Sequence, residues 1–183
     1  MNEIALHILD IIQNSIRAQA TKVEILIDED FENDLFEIVI IDNGKGMSEA
    51  QLTEVDDPFY TTRTTRKVGM GVALLKQGTE QTGGFLEIKS SFETGTHLKA
   101  VYHHQHVDRP ILGDIAGTMT LLIGANPEIR FIYNHQTPLS SFEFDTNEVL
   151  DELDGVPIND RDILKALKEL IEENLDMIEA TIN

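Results

Sequence analysis

LFEIVIIDNGKGM, residues 35–47, is an apolar, β-branched run that stops at a carboxylate and opens into a glycine loop. Ile38 to Ile41 is apolar on both faces of an extended chain, which predicts a strand inside a sheet and not at its edge. KVEILID (22–28) precedes it across the acidic turn EDFEND, so the two strands are expected to pair antiparallel. Asp42 closes the inner strand, and Gly44 and Gly46 allow close approach of a flat group to the backbone. A carboxylate at that place can accept a hydrogen bond from an exocyclic amine. Asp-Asn-Gly is also ordinary turn chemistry, so this loop alone does not separate a binding site from a turn.

Upstream, residues 3–18 (EIALHILDIIQNSIRA) place Ile4, Ile8, Ile11, Ile12 and Ile16 at helical spacing. His7, Asp10, Asn14 and Arg17 follow one another at intervals of three and four, which stacks four polar groups along the same helix. Asn is a poor helix-interior residue, so Asn14 among isoleucines asks for a ligand or a structural bond. Its amide oxygen is a hard donor suited to Mg²⁺, Asp10 can orient or deprotonate a water, and Arg17 can reach a phosphate. The same residues also suit a solvated face on which they pair with one another.

Downstream, Ser48-Glu49-Ala50-Gln51 is a capping-box pattern that predicts a short helix. DPFYTTRTTRKVGMGVALLKQ (57–77) follows, with four basic residues and no acidic one between Phe59 and Gln77. Arg63, Arg66 and Lys67 concentrate positive charge, and Gly69 and Gly71 lead into a helix expected over about 68–81, whose first N–H groups favour an anion. This stretch reads as a lid over phosphates. Gly83-Gly84 then turns into two strands, FLEIKSS and THLKAVYH. The order predicts an α+β fold, a two-layer α/β sandwich whose mixed sheet is covered by helices on one face.

Beyond His106 the character changes, which suggests a division into residues 1–106 and a C-terminal extension over 107–183, either separate or continuous with the first sheet. TMTLLIG (118–124) and EIRFIYN (128–134) read as a further β-hairpin. Asp145 and Glu148 predict a short helix, and Ile163, Leu164, Leu167, Leu170, Ile171 and Ile178 form the stripe of a last one, whose acidic face is available to a dimer or a partner. His103, His104 and His106 suggest metal ligation, but on a strand only two of them share a face.

The chain has 183 residues, 33 acidic against 14 basic, and a formal charge of −19. That balance repels nucleic acid and anionic membrane surfaces. With no cysteine, disulfides, thiolate catalysis and cysteine metal sites are excluded, and a cytoplasmic location is expected. MNEIALHILD lacks the features of a signal peptide, and no apolar run approaches a membrane span.

Taken in order, these pieces resemble the GHKL ATPases, which comprise gyrase B-type topoisomerases, heat-shock chaperones, mismatch-repair ATPases and sensor histidine kinases. DIIQNSIRA resembles the N box, DNGKGM the G1 box, DPFYTTR the F box and GMGVALLK the G2 box, and ETGTHLKAVY is similar to the closing Gly-Thr strand. DPFYTTR with GMGVALLK points toward the sensor histidine kinase branch. The resemblance implies a Bergerat-type ATP site in a histidine-kinase-like ATPase fold. In it Asn14 would hold Mg²⁺, Arg17 would touch phosphate, Asp42 would bond the adenine amino group, and Gly44 and Gly46 would shape the base pocket. Thr96 would support Asp42, Phe59 would anchor the lid, Arg63 and Lys67 would supply charge, and Gly69 and Gly71 would bend it. Asp10 stands where hydrolysing members carry a glutamate base, one methylene shorter. No paired dimerisation helices with a phosphoacceptor precede the first box, so histidine autophosphorylation is unsupported, and His7 is a poor acceptor.

Two functions therefore stay open: slow ATP hydrolysis or phosphoryl transfer to a protein, and a nucleotide-gated module that grips a protein partner, as anti-sigma-like relatives do; retention of Asn14, Asp42, Gly69 and Gly71 speaks against a third, a degenerate structural protein that no longer binds nucleotide.

Overall fold

A computed structural model describes residues 3–56 and 71–183. The order is α1 (Ile4–Arg17), β1 (Lys22–Asp30), β2 (Leu35–Asp42), α2 (Glu49–Asp56), α3 (Gly71–Gln81), β3 (Phe85–Ser91) and β4 (Gly95–His103), then α4 (Ile115–Ala125), β5 (Arg130–Gln136), β6 (Ser141–Asp145), α5 (Thr146–Glu152) and α6 (Arg161–Met177). One six-stranded mixed sheet runs β3-β4-β2-β1-β5-β6, with β1 and β5 parallel and the other neighbours antiparallel. The strand that ends at Asp42 is central, as its two apolar faces predict.

Alternation along the strands sends one set of side chains to the core. Val23, Ile25 and Ile27 of β1 sit beside Phe36, Ile38 and Ile40 of β2, with Leu98, Ala100 and Tyr102 of β4 and Phe131 and Tyr133 of β5 on the same side. Helices cover this face. The other face is charged: Asp28 lies opposite Glu37, which is paired with Lys99 at 2.7 Å.

Ile4, Ile8 and Ile12 of α1 are fully buried. Burial is worth roughly 1.5–3 kcal/mol for each such side chain, which outweighs the penalty of at most about 0.7 kcal/mol for a β-branched residue in a helix. Packing thus makes α1 a helix in spite of its isoleucines. The capping box is formed, with Gln51 N–H donating to Ser48 Oγ and Ser48 N–H donating back to Gln51 Oε1 at 3.0 Å.

The sequence expectation fails at residues 118–124, which form α4 and not a strand. β4 and β5 run parallel on opposite sides of the β2-β1 pair, so the chain between them must return along the sheet, and a helix makes that crossover. Asp114 caps it by accepting from Gly117 N–H at 2.7 Å, and Thr120 Oγ1 bonds back to Ala116 O at 3.0 Å. α4 touches both α1 and α6. The hairpin of the extension is β5–β6, one strand further along than expected, with Phe142 and Phe144 turned inward. Asp145 caps α5 and holds Arg130 in an ion pair. In α6, Leu167, Ile171 and Leu175 are buried, whereas Leu170 stays 43% exposed. Residues 130–145 continue the sheet of the first segment across the division expected at residue 106.

Candidate nucleotide site

α1 is the spine of the site. His7 is buried, Asp10 and Asn14 half-buried and Arg17 exposed, so the polar file runs outward along the helix. Burial pushes the His7 imidazole below its ordinary pKa, against the opposing effect of Asp10. Gly71 packs on this file: a Cβ there would lie 2.6 Å from Asp10 Cβ and 3.2 Å from His7 O. Because neither neighbour is the free end of a flexible chain, Gly71→Ala is expected to force α3 away from α1. We expect it to cost about 1–3 kcal/mol of stability, read by thermal unfolding, and to weaken ADP binding in calorimetry.

Arg17 Nη1 donates to Asn14 Oδ1 at 3.1 Å, so the oxygen expected to meet a metal is held here by a cation from its own helix. One residue on, the buried Ser15 donates its hydroxyl to Asp42 Oδ2 at 2.7 Å, and Gly44 N–H donates to Asp42 Oδ1 at 2.9 Å. Both carboxylate oxygens are thereby fixed at the end of β2. Thr96 lies opposite Asp42 in the β2–β4 register and its hydroxyl pairs with Ser90 Oγ at 3.1 Å, while the side chain that meets the carboxylate directly is Ser15, which the sequence reading missed. No local pattern in the sequence links positions 15 and 42.

The glycine loop is anchored on three sides. Asn43 Oδ1 accepts from the N–H groups of Thr21 and Lys22, each at 2.9 Å, which ties the loop to the start of β1. A Cβ on Gly44 would lie 2.9 Å from Ala18 O, and Lys45 N–H donates to that same oxygen at 2.9 Å. Gly46 has φ +68°, and a Cβ there would lie 2.0 Å from Ser91 O. Only glycine fits such an approach. α1 therefore meets Gly71 at His7 and Asp10, Asp42 at Ser15 and Gly44 at Ala18. A cleft of about 300 Å³ at the β3–β4 hairpin is lined by Asp42 and Thr96 together with Ile41, Lys89 and His97. Ile41 and His97 belong to the charged face of the sheet, so this cleft lies behind the carboxylate, and Asn14 and Gly71 do not line it.

Phe59, Arg63, Lys67 and Gly69 lie outside the described residues. Among the described residues no group of three or more His, Cys, Asp or Glu is placed to hold a metal. The three histidines at the end of β4 and just beyond it have separate partners: His103 Nδ1 meets Asp34 at 3.2 Å, His104 Nε2 meets Glu29 at 2.8 Å, and His106 Nδ1 accepts from Asp108 N–H at 3.1 Å. No helix among the described residues is long and apolar enough to cross a membrane.

Residues 2–105 match the family described as histidine kinase-, DNA gyrase B-, and HSP90-like ATPase. A Shewanella frigidimarina protein described as a sensor is 30% identical over 97 residues, 52% of this chain and 15% of its own. An NtrY-like sensor histidine kinase of Rickettsia felis is 25% identical over 109 residues, 59% of this chain and 18% of its own. The chain thus spans less than a fifth of either relative. Among solved structures, the N-terminal domain of a DNA repair protein aligns with TM-score 0.51 at 17% identity, over 79% of this chain and 52% of that one. This likeness in fold extends beyond the matched family segment into the C-terminal extension. A match over more than half of its length establishes that the chain belongs to the GHKL superfamily of histidine kinase-, DNA gyrase B- and HSP90-like ATPases.

Proposed function

We propose that the protein binds ATP with Mg²⁺ against α1, and that it hydrolyses the nucleotide slowly or passes its terminal phosphoryl group to a protein. One observation carries this reading above the others: Asp42, 7% exposed, has each oxygen held by a donor, from Ser15 on α1 and from the Gly44 backbone. A carboxylate fixed in this way is preorganised to accept from the amino group of adenine. Among adjacent groups, the amide oxygen of Asn14 and the carboxylate of Asp10 are hard oxygen donors, which suits Mg²⁺, an ion that binds few protein ligands and keeps waters and phosphate oxygens. The metal would neutralise charge on the phosphates. Asn14 would hold it, Arg17 would turn from Asn14 to a phosphate, and Asp10 would orient the attacking water.

Phosphoryl transfer depends mainly on positioning and charge stabilisation, so removing the base should strike turnover and spare affinity. In Asp10→Asn we expect ATP turnover to fall at least about 100-fold, within the range general-base catalysis supplies, with ADP affinity within about threefold of wild type. Turnover equal to that of the parent would remove Asp10 from the role. Partner capture that depends on ATP and persists in Asp10→Asn would favour the non-catalytic, nucleotide-gated module.

A further inference from the structure

We propose that residues 178–183 form a clasp that fastens the first turn of α1, so that docking of this segment and nucleotide affinity are coupled. The inference rests on reading α1 as the nucleotide helix.

α1 begins without a side-chain cap: Glu3, at the N-cap position, makes no such hydrogen bond. Its first N–H groups need other acceptors. Ile4 N–H donates to Ile111 O and Ala5 N–H to Leu112 O, each at 2.9 Å, so a strap more than 100 residues downstream serves as the cap. The strap is pressed onto the helix start, since a Cβ on Gly113, whose φ is +77°, would lie 2.6 Å from Glu3 Oε2.

The segment beyond α6 holds this strap. Gly113 N–H donates to Ile182 O at 3.0 Å, Thr181 N–H donates to Glu29 Oε1 at 2.8 Å, and Thr137 Oγ1 donates to Ile178 O at 2.6 Å. Ile178 is 4% exposed, and Ile182 packs on the core. Three bonds thus link the end of β1, the β5–β6 turn and the strap through six residues. From Thr181 the path to Asp10 runs through Ile182 O to Gly113 N–H, through Leu112 O to Ala5 N–H, and along α1. α1 is a stiff rod, so moving its first turn moves Asp10 and Asn14 relative to Asp42 on the sheet. Coupling of this kind is reciprocal: a nucleotide that requires α1 in place must also tighten the clasp.

The test uses the full chain and two variants. Thr181→Pro removes the N–H that Glu29 accepts, and Thr137→Val removes the hydroxyl bonded to Ile178 at nearly constant volume. Amide hydrogen exchange without nucleotide is followed at Ile4 and Ala5, with Ile25 and Ile38 of the central strands as reference. We expect exchange at Ile4 and Ala5 to quicken by about tenfold or more in both variants with the reference amides unchanged. ADP should bind each variant about three- to tenfold more weakly, and saturating ADP should slow exchange of the wild-type Thr181 amide. Unchanged exchange at Ile4 and Ala5 beside normal ADP binding overturns the clasp, and so does an equal acceleration at every amide, which would mark the segment as ordinary core. A wild-type chain that binds no ADP instead overturns the nucleotide reading, and with it the coupling, while local acceleration at Ile4 and Ala5 would leave the fastening itself standing.

Discussion

Asp42→Asn is expected to keep the fold and lose adenine-nucleotide binding. The carboxylate accepts from Gly44 N–H on Oδ1 and from Ser15 Oγ–H on Oδ2. In the amide, the oxygen can remain at the Gly44 position, while the nitrogen takes the Oδ2 position and donates to Ser15, whose hydroxyl rotates to accept. Structure is preserved, but the group left for the base has changed from acceptor to donor and faces a donating amine. Hydrogen bonds to a charged partner are worth roughly 1.5–3 kcal/mol, so the loss corresponds to a Kd about 10- to 100-fold weaker before the new donor–donor conflict is counted. Ser15→Ala removes only one constraint on the carboxylate, which keeps its charge and its bond from Gly44 N–H, and should give a smaller loss, of about three- to tenfold. Calorimetric titration with ADP, with thermal unfolding to confirm an intact fold, reads both. An Asp42→Asn protein that binds ADP like the parent would take the base-recognising role away from this residue.

Legibility in the sequence followed the range of the interactions. The β1–β2 pair, the capping box at Ser48 and the cap at Asp145 are set by contacts within a few residues, which caps and turn residues report; α1 depends on distant packing but is legible because the apolar period that packs it is written along its own residues. α4 is set by topology. TMTLLIG is apolar on all sides and rich in β-branched residues, so its own period favours neither state, and only the parallel relation of β4 and β5 requires a helix there. Of the site, Asn14 and Asp42 stood out because each is an unexpected polar residue in an apolar run. Ser15 did not, because a serine in a helix is unremarkable until the strand 27 residues later supplies its acceptor. β6 was legible in principle, since Phe142 and Phe144 alternate with Ser141 and Glu143. So was the inward Glu29, which keeps step with Val23, Ile25 and Ile27 along β1 and therefore must point into the core.

That inward carboxylate yields the second large effect, in Glu29→Leu. Glu29 is 1% exposed, and its oxygens accept from His135 Nε2, His104 Nε2 and Thr181 N–H, each at 2.8 Å. Burial pushes its pKa upward, but hydrogen bonds from His135, Thr181 and His104 prevail and hold it down, from the ordinary 4.5 to about 2. At neutral pH it is therefore a carboxylate, and both histidines present Nε2–H to it. On its other side the ring of His135 meets the buried Tyr133 hydroxyl, Nδ1 to Oη at 2.7 Å, and burial keeps that phenol protonated. Leucine would leave two ring N–H groups and one backbone N–H without an acceptor, at a cost of about 3–5 kcal/mol. For a domain of this size that lowers Tm by roughly 10 °C. The pH dependence follows in sign from the depressed pKa: the stability Glu29 contributes is fully present above its unfolded value of about 4.5 and fades as the pH falls from there toward 2. Below about pH 4.5 the gap between wild type and Glu29→Leu in urea denaturation should thus narrow as the pH falls toward 2. Glu29→Gln separates charge from geometry: its amide oxygen can still accept from His135 and Thr181, but its NH₂ group meets the Nε2–H of His104. It should lose part of the stability and all of the acid dependence. A gap that stays constant into acid would show that Glu29 is not ionised in the folded protein, and its single carboxyl proton would then be donated from Oε2 to His104 Nε2 while His135 and Thr181 still donate to Oε1.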